Sequence, residues 1–512
     1  MWTVDIKYSS FTWPTSTSSS LASLALILLL LYITKAIYGI RTHPLHHFPG
    51  PLLASITPLP HFLATTRGSL HHYLRRLHAQ YGPIVRISPN ELSFAHPDAW
   101  RDIYGHGAKG ARVRIPKAFA RYPKPANGCA SLLVEEDDAE HARVRRVFGA
   151  AFSEQAVRGQ EGVFVRYVDQ LVGVLKRRGE GEGGAVVDMV EMLNFTTFDI
   201  MADMTFGESL HLLDNTEYVP WVSMIFRNVK VGARLNILST YYPRLFRLLS
   251  LALGKKMQKA RTQHFEHSAT RVARRLEQGR QTAGVDLWTH VLSQRDEENP
   301  HLSRAAMDAN ASLFMIAGTE TTATLLAGLT YLLLTHTHTL DRLTTELRST
   351  FPSSTTITLA ALSRLPYLTA CIKEALRLYP PVPVGLLRRT PAQGSTICAR
   401  FVPGGVTVSA PHWPLYTSGE HFVEPLVFAP ERWMGDERFA GDERGVVQPF
   451  SVGPRDCLGK NMAYHEMRLV LAKVLWAFDL ELCEKQGDWL DQRVFLVWEK
   501  VPLMVRLKAV ER

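Results

Sequence analysis

The segment Phe450-Ser451-Val452-Gly453-Pro454-Arg455-Asp456-Cys457-Leu458-Gly459-Lys460 carries the strongest chemical signal in the chain. A lone cysteine is usually a small buried hydrophobe. Here two glycines and a proline impose a tight turn that aims backbone N–H groups at the sulfur. Those donors, with Arg455 nearby, favour the thiolate. A helix is expected soon after, near Asn461 to Lys473, and its N-terminus adds partial positive charge. Phe450 can shield the sulfur from water. With no second Cys or His nearby, Cys457 is a poor zinc ligand and a good single axial ligand for haem iron. The pattern Phe-x-x-Gly-x-Arg-x-Cys-x-Gly fixes five positions, a match that average residue frequencies produce by chance in roughly one chain in ten thousand.

This loop resembles the cysteine loop of the cytochrome P450 family of haem-thiolate monooxygenases. The resemblance implies haem b as cofactor, Cys457 as its metal ligand, and Phe450, Gly453, Arg455 and Gly459 around it. Three further segments resemble the family in order and spacing. Glu374-Ala375-Leu376-Arg377 matches its ExxR helix, where positions i and i+3 share a face and the charges can pair. The same spacing recurs at Glu140/Arg143 and Glu277/Arg280, but only Glu374 stands at a family-like distance before the cysteine. Phe428-Ala429-Pro430-Glu431-Arg432-Trp433 resembles the PERF segment, which implies that Arg432 joins Glu374 and Arg377 in a buried network. Ala317-Gly318-Thr319-Glu320-Thr321-Thr322 follows an apolar run. Glu320 is costly there unless it finds water or a partner. Clustered Thr hydroxyls compete for helix carbonyls, and Ala317 and Gly318 leave room for a flat cofactor. The segment resembles the oxygen-activation motif, with Glu320 as the acid and Thr321 as the alcohol that relay protons.

His141 and Arg145 are spaced i,i+4, and an Arg fork suits a carboxylate. In the family these positions hold a haem propionate, as does Arg388, whose register against Arg389 is left open by Leu387. Arg143 and Arg146 face elsewhere, as a surface for a reductase or as a solvated face. The resemblance implies O2 as cosubstrate, with NADPH electrons supplied through NADPH–cytochrome P450 reductase and with cytochrome b5 as a further candidate donor. Two other readings are kept: a haem-thiolate isomerase or dehydratase, and a non-catalytic haem-binding sensor. The acid–alcohol pair argues against both.

These residues need a scaffold. The chain has 512 residues with 46% hydrophobic and 21% charged side chains, which excludes disorder as the main state. Helical patterning dominates from about Pro97 to Leu378. Short strands are expected at Ile84–Ile87 and Glu91–Phe94, around a Ser-Pro-Asn turn, and after Gly404-Gly405. The fold class is therefore mainly α with a minor β part, a cytochrome P450 fold preceded by one N-terminal transmembrane helix. Gly179–Gly184 satisfies GxGxxG by letter but follows no strand, so it reads as a flexible connection.

Residues 21–40 are largely apolar and contain one charge, Lys35, a run long enough to span a bilayer. The charges at Lys35 and Arg41 follow the run, which favours an anchor with a cytosolic C-terminal body over a cleaved signal. No other stretch reads as a span. The division is a lumenal segment 1–20, an anchor 21–40, a proline-rich hinge 41–60 and a catalytic domain 61–512, at the endoplasmic reticulum membrane. The formal charge of +10 carries no Lys/Arg block, which suits a membrane surface or acidic partner and not a nucleic acid. Five unpaired-looking cysteines point to a reducing compartment.

The texture at Ser88-Pro89-Asn90-Glu91-Leu92 and Ala150-Ala151-Phe152-Ser153 resembles fungal microsomal members of secondary metabolism. Pocket walls are expected from Gly105–Ala130, Tyr218–Thr240 and Val382–Leu387, for a hydrophobic polyketide or terpenoid. Tyr218–Leu253 is read either as buried helices or as a substrate entrance on the bilayer. Asn194 and Asn310 lie in sequons but are not expected to carry sugar.

Overall fold

The computed structural model describes residues 17–106, 114–122, 124–179, 185–278, 286–293, 302–483 and 487–511. Residues 180–184 of the glycine run, 107–113 and 123 of the expected pocket wall, and Arg280 fall outside these ranges. The helices that matter for the site are α1 (Thr17–Ile37), α2 (Leu59–Arg67), α3 (Asp138–Gly149), α4 (Met189–Phe206), α5 (Pro220–Tyr241), α6 (Pro243–Glu277), α7 (Arg304–Thr335), α8 (Pro366–Leu378) and α9 (Lys460–Ala477).

The long helix α7 organises the core. Ser303 starts it by accepting a hydrogen bond from the Ala306 N–H, the usual role of an N-cap serine. Its Ala- and Leu-rich run has apolar residues on every side, as expected of a helix enclosed by others. It packs on α4, which is itself buried almost all round. Two glycines allow close approach. A Cβ on Gly318 would lie 2.6 Å from the Met201 sulfur, and one on Gly328 would lie 2.3 Å from the Tyr379 ring. Gly318 thus serves helix packing against α4, which corrects the expectation that it opens room for a cofactor.

The strands are few and short. β1 (Ile84–Ser88) and β2 (Glu91–Phe94) form an antiparallel pair, with β3 (Ala185–Asp188), β4 (Arg388–Arg389), β5 (Ser395–Ile397), β6 (Arg400–Val402) and β7 (Thr407–Ser409) following. β2 runs parallel to β7 in the register Leu92↔Val408, and β4 pairs with β7 at Arg388↔Val408. The sheet order β1-β2-β7-β4 therefore joins segments three hundred positions apart and places Arg388 on an edge strand. Arg388 is buried while Arg389 is exposed, as alternate residues of a strand must be. After α9 come β8 (Phe478–Leu482), β9 (Val494–Phe495), β10 (Val497–Trp498) and β11 (Met504–Ala509). β11 lies between β3 and β8.

The most apolar stretch of α1 has no buried residue, and the helix is long and apolar enough to cross a bilayer. α7 also meets that test of length and apolarity, which corrects the expectation of a single such stretch. However, 72% of its most apolar stretch is buried, so it is the core helix. The proline-rich residues after α1 pack on the body: Leu45 and Phe48 are buried, and the Arg86 N–H donates to the Pro49 carbonyl. Arg86 also reaches the Gly39 carbonyl at 2.8 Å. Tyr218–Leu253 divides between the two readings. Ile225 and Ile237 of α5 are buried, whereas Leu245, Leu248 and Leu251 at the start of α6 are exposed. Asn194 and Asn310 are both buried and hydrogen-bonded, so neither can be glycosylated in the folded protein.

Candidate active site

The cysteine loop is held by its own backbone. The Cys457 N–H donates to the Phe450 carbonyl at 2.9 Å, and the Asp456 N–H to that of Gly453 at 3.2 Å. Gly453 has φ of +81°, and a Cβ there would lie 2.1 Å from the Tyr104 carbonyl, so only glycine fits. Phe450 packs against Tyr464 of α9 with ring centroids 5.3 Å apart. Gly459 is the N-cap of α9, so the helix starts immediately after the loop. Cys457 lies deep in the molecule yet is exposed, so its free surface faces space inside the fold.

Burial pushes the Cys457 thiol above its usual value. The Gly459 N–H, Arg145 and Lys460 oppose this, while Asp456 adds to it. The loop therefore does not by itself favour the thiolate, which corrects the sequence expectation: desolvation outweighs the donors. A bound metal ion would reverse the balance, because coordination deprotonates a thiol outright. Arg455 is also not one of the cations acting on the sulfur. Its guanidinium donates to Asp138 at 2.9 Å and to the Glu135 carbonyl at 2.7 Å, tying the loop to the start of α3.

A group of basic side chains collects nearby. His141 of α3 is buried, and burial followed by Arg455, Lys117 and Arg145 lowers it to about 4. Lys117 forms a backbone bridge with Arg388. Burial, then Arg388, Arg455 and Arg145, bring its ammonium down to about 7. Arg145 is half-buried and holds the Asp456 carboxylate at 2.5 Å. Arg388 donates to the Ile115 carbonyl at 3.2 Å and lies over the Tyr104 ring, and its buried Nε has no hydrogen-bond partner among the described residues. Among the described residues no carboxylate pairs with Lys117 or Arg388. Two buried basic groups with no paired carboxylate fit a ligand that brings carboxylates of its own. The sequence reading missed Lys117, because one lysine in a loop carries no spacing signal.

On α7, Ala317 is exposed although the residues around it in the helix are mostly buried. Thr321, one turn on and on the same face, is half-buried and donates to the Ala317 carbonyl at 2.7 Å. A small residue and a hydroxyl thus line one open face in a core helix, which suits a flat cofactor beside a polar niche. Glu320 points elsewhere. It is buried and paired with Lys500, whose ammonium also donates to Thr324 at 2.8 Å. Thr322 faces Glu466 of α9, a buried carboxyl that burial pushes up to about 8.

Glu374, Arg377 and Arg432 are fully buried. Arg377 binds Glu374 through two bonds of 2.9 and 2.6 Å and donates to the carbonyls of Tyr416, Pro425 and Val427. Arg432 reaches Glu374 at 3.3 Å and pairs with Asp442, and the Trp433 indole donates to Glu374 at 2.9 Å. This network supports the turns that precede the cysteine loop. By contrast, Glu140 and Arg143 form a partly exposed pair at 2.7 Å on α3.

A family model described as Cytochrome P450 matches residues 49–506. The chain is 44% identical to the cytochrome P450 monooxygenase efuB of Hormonema carpetanum, over 98% of this chain and 97% of that protein. It is 42% identical to the cytochrome P450 monooxygenase lcsI of Purpureocillium lilacinum, over 95% and 94% of the two chains. It is 40% identical to the cytochrome P450 monooxygenase astJ of Aspergillus oryzae, over 92% and 94%.

Proposed function

The chain belongs to the cytochrome P450 family and is a monooxygenase, and from that premise we propose that it holds haem b through Cys457 and oxidises a hydrophobic small molecule. The observation that carries this reading is Cys457 itself, exposed to interior space beside Lys117 and Arg388, which pair with no carboxylate among the described residues. Lys117, His141, Arg145 and Arg388 would hold the propionates, Ala317 would face the ring, and Phe450, Gly453, Arg455 and Gly459 would keep the loop in place. When bound, the haem supplies reductive activation of O2, with a thiolate ligand favouring O–O cleavage.

The chain's own part is to hold the group, exclude water and move protons. Thr321 holds its hydroxyl at the open face of α7, and Glu320, whose side chain lies off that face with Lys500, would be the acid further back on the proton path. The apolar residues of the expected wall segments suit a polyketide or terpenoid, and the fungal relatives support a place in secondary metabolism. Electrons from NADPH would arrive through NADPH–cytochrome P450 reductase, with cytochrome b5 as a second donor. The exposed α1, with Lys35 in its last turn and Arg41 just beyond it, supports an anchor in the endoplasmic reticulum membrane with residues 61–512 on the cytosolic side and 41–60 between them.

The test is reconstitution of the haem-loaded protein with the reductase in lipid vesicles. Substrates are first selected by their spin-state shift from a panel of polyketides and terpenoids. The expected product contains one oxygen atom from isotopically labelled O2 and forms only with NADPH. Turnover that needs neither would instead mark a haem-thiolate isomerase or dehydratase.

A further inference from the structure

Glu320 sits in the middle of the core helix α7, buried, with only one of its oxygens satisfied. The Lys500 ammonium holds that oxygen, and the other, Oε2, has no hydrogen-bond partner among the described residues. Lys500 is itself buried and also donates to Thr324, one turn further along α7. It comes from the segment between β10 and β11, far from the oxygen-helix motif in sequence. Its backbone is fixed from outside by its neighbour. The Glu499 N–H donates to the Arg493 carbonyl at 2.7 Å, and the Glu499 carboxylate pairs with Arg493 at 2.8 Å and with Lys230 of α5.

We propose that Lys500 is a positioning residue for Glu320: it pins one carboxylate oxygen so that the unpartnered oxygen is the one that handles protons for the reaction. Two features separate this from a simple buried ion pair. A purely structural pair gains most by satisfying every polar atom, because each buried unmet acceptor carries a cost. Here Oε2 is left open. The Thr324 contact also fixes the ammonium from a second direction, so the carboxylate has one preferred orientation rather than a swinging contact. Without Lys500, the carboxylate loses its anchor and turns toward whichever donor is nearest.

The inference rests on reading Glu320 as the acid of the proton path, and the test separates the two. In the haem-loaded protein, Lys500→Met, Glu320→Gln and the double variant are compared for peroxide released per NADPH consumed. Glu320→Gln raises this ratio several-fold if the acid reading is right, and an unchanged ratio removes that reading and the inference with it. Lys500→Met is expected to raise the ratio several-fold in the native background and not at all on top of Glu320→Gln. Equal effects in both backgrounds, or no effect of Lys500→Met, would overturn the positioning role while leaving Glu320 in place. A second readout is independent of turnover. The infrared carboxylate band that disappears in Glu320→Gln, followed in protein labelled at glutamate, should shift in Lys500→Met. A band that stays put counts against the proposal. Should Lys500→Met fail to assemble, Thr324→Val removes only the second contact of the ammonium, and the same shift is expected in smaller measure.

Discussion

Lys117 and Arg388 meet across an antiparallel backbone bridge, and the charge of Arg388 helps to depress the Lys117 ammonium. Two cations held this close, away from water, destabilise each other until an anion arrives. Lys117→Met should therefore weaken haem retention. A charge-assisted hydrogen bond is worth about 1.5–3 kcal/mol, so transfer of haem to a scavenger protein should be favoured by roughly tenfold to a hundredfold. Unchanged retention would place the carboxylates elsewhere.

Cys457→Ser should leave a folded protein, because the side chain is exposed and its recorded hydrogen bond is the one from the Gly459 N–H. The reduced carbon-monoxide complex should lose the red-shifted band that a thiolate ligand gives, along with turnover. A variant that kept the band would show that another group binds the iron.

Glu374→Gln should damage the fold rather than the chemistry. The carboxylate faces two fully buried guanidiniums, Arg377 and Arg432. Removing one member of a buried charge network costs about 3–5 kcal/mol. The urea midpoint of the haem-loaded protein should fall accordingly, and little haem-loaded protein should accumulate. A midpoint within error of the native one would argue against any role in holding the site.

Glu466 predicts a pH signature. Its folded-state carboxyl titrates near 8, against 4.5 for the exposed group. Between these values the folded protein binds the proton that the unfolded chain has released, so this group makes stability fall as pH rises through the window. Glu466→Gln should remove that slope. Relative to the native protein, it should gain at most about 1.4 kcal/mol per pH unit across the window, read from urea midpoints. Parallel stability curves would place the carboxyl in a wetter site.

The short-range signals were legible because each is a local pattern. The cysteine loop, the ExxR pair and the position of Thr321 after Ala317 all depend on residues within one turn of chain. The parts that could not be read are the long-range partners. Lys500 beside Glu320 and Lys117 beside Arg388 are isolated charged residues until folding joins distant segments. Two local readings also failed for a tertiary reason. Arg455 looked like the cation for the sulfur, but the arrival of Asp138 and the Glu135 carbonyl draws it away. Gly318 looked like space for a cofactor, but Met201 fills it. Sequence spacing fixes which residues share a face and leaves open what lies against that face.

Tyr104 bears on two sides of the site at once. Its carbonyl stands where any side chain on Gly453 would have to go. Its hydroxyl donates to the Leu386 carbonyl at 2.7 Å and accepts the Ala410 N–H at 3.0 Å, beside the strands that carry Arg388. A single buried tyrosine thereby works as a spacer gauge, setting how far the sulfur stands from the edge strand. Phe at this position would keep the carbonyl stop and lose the hydroxyl strut, letting the basic strand drift while the cysteine loop stayed fixed.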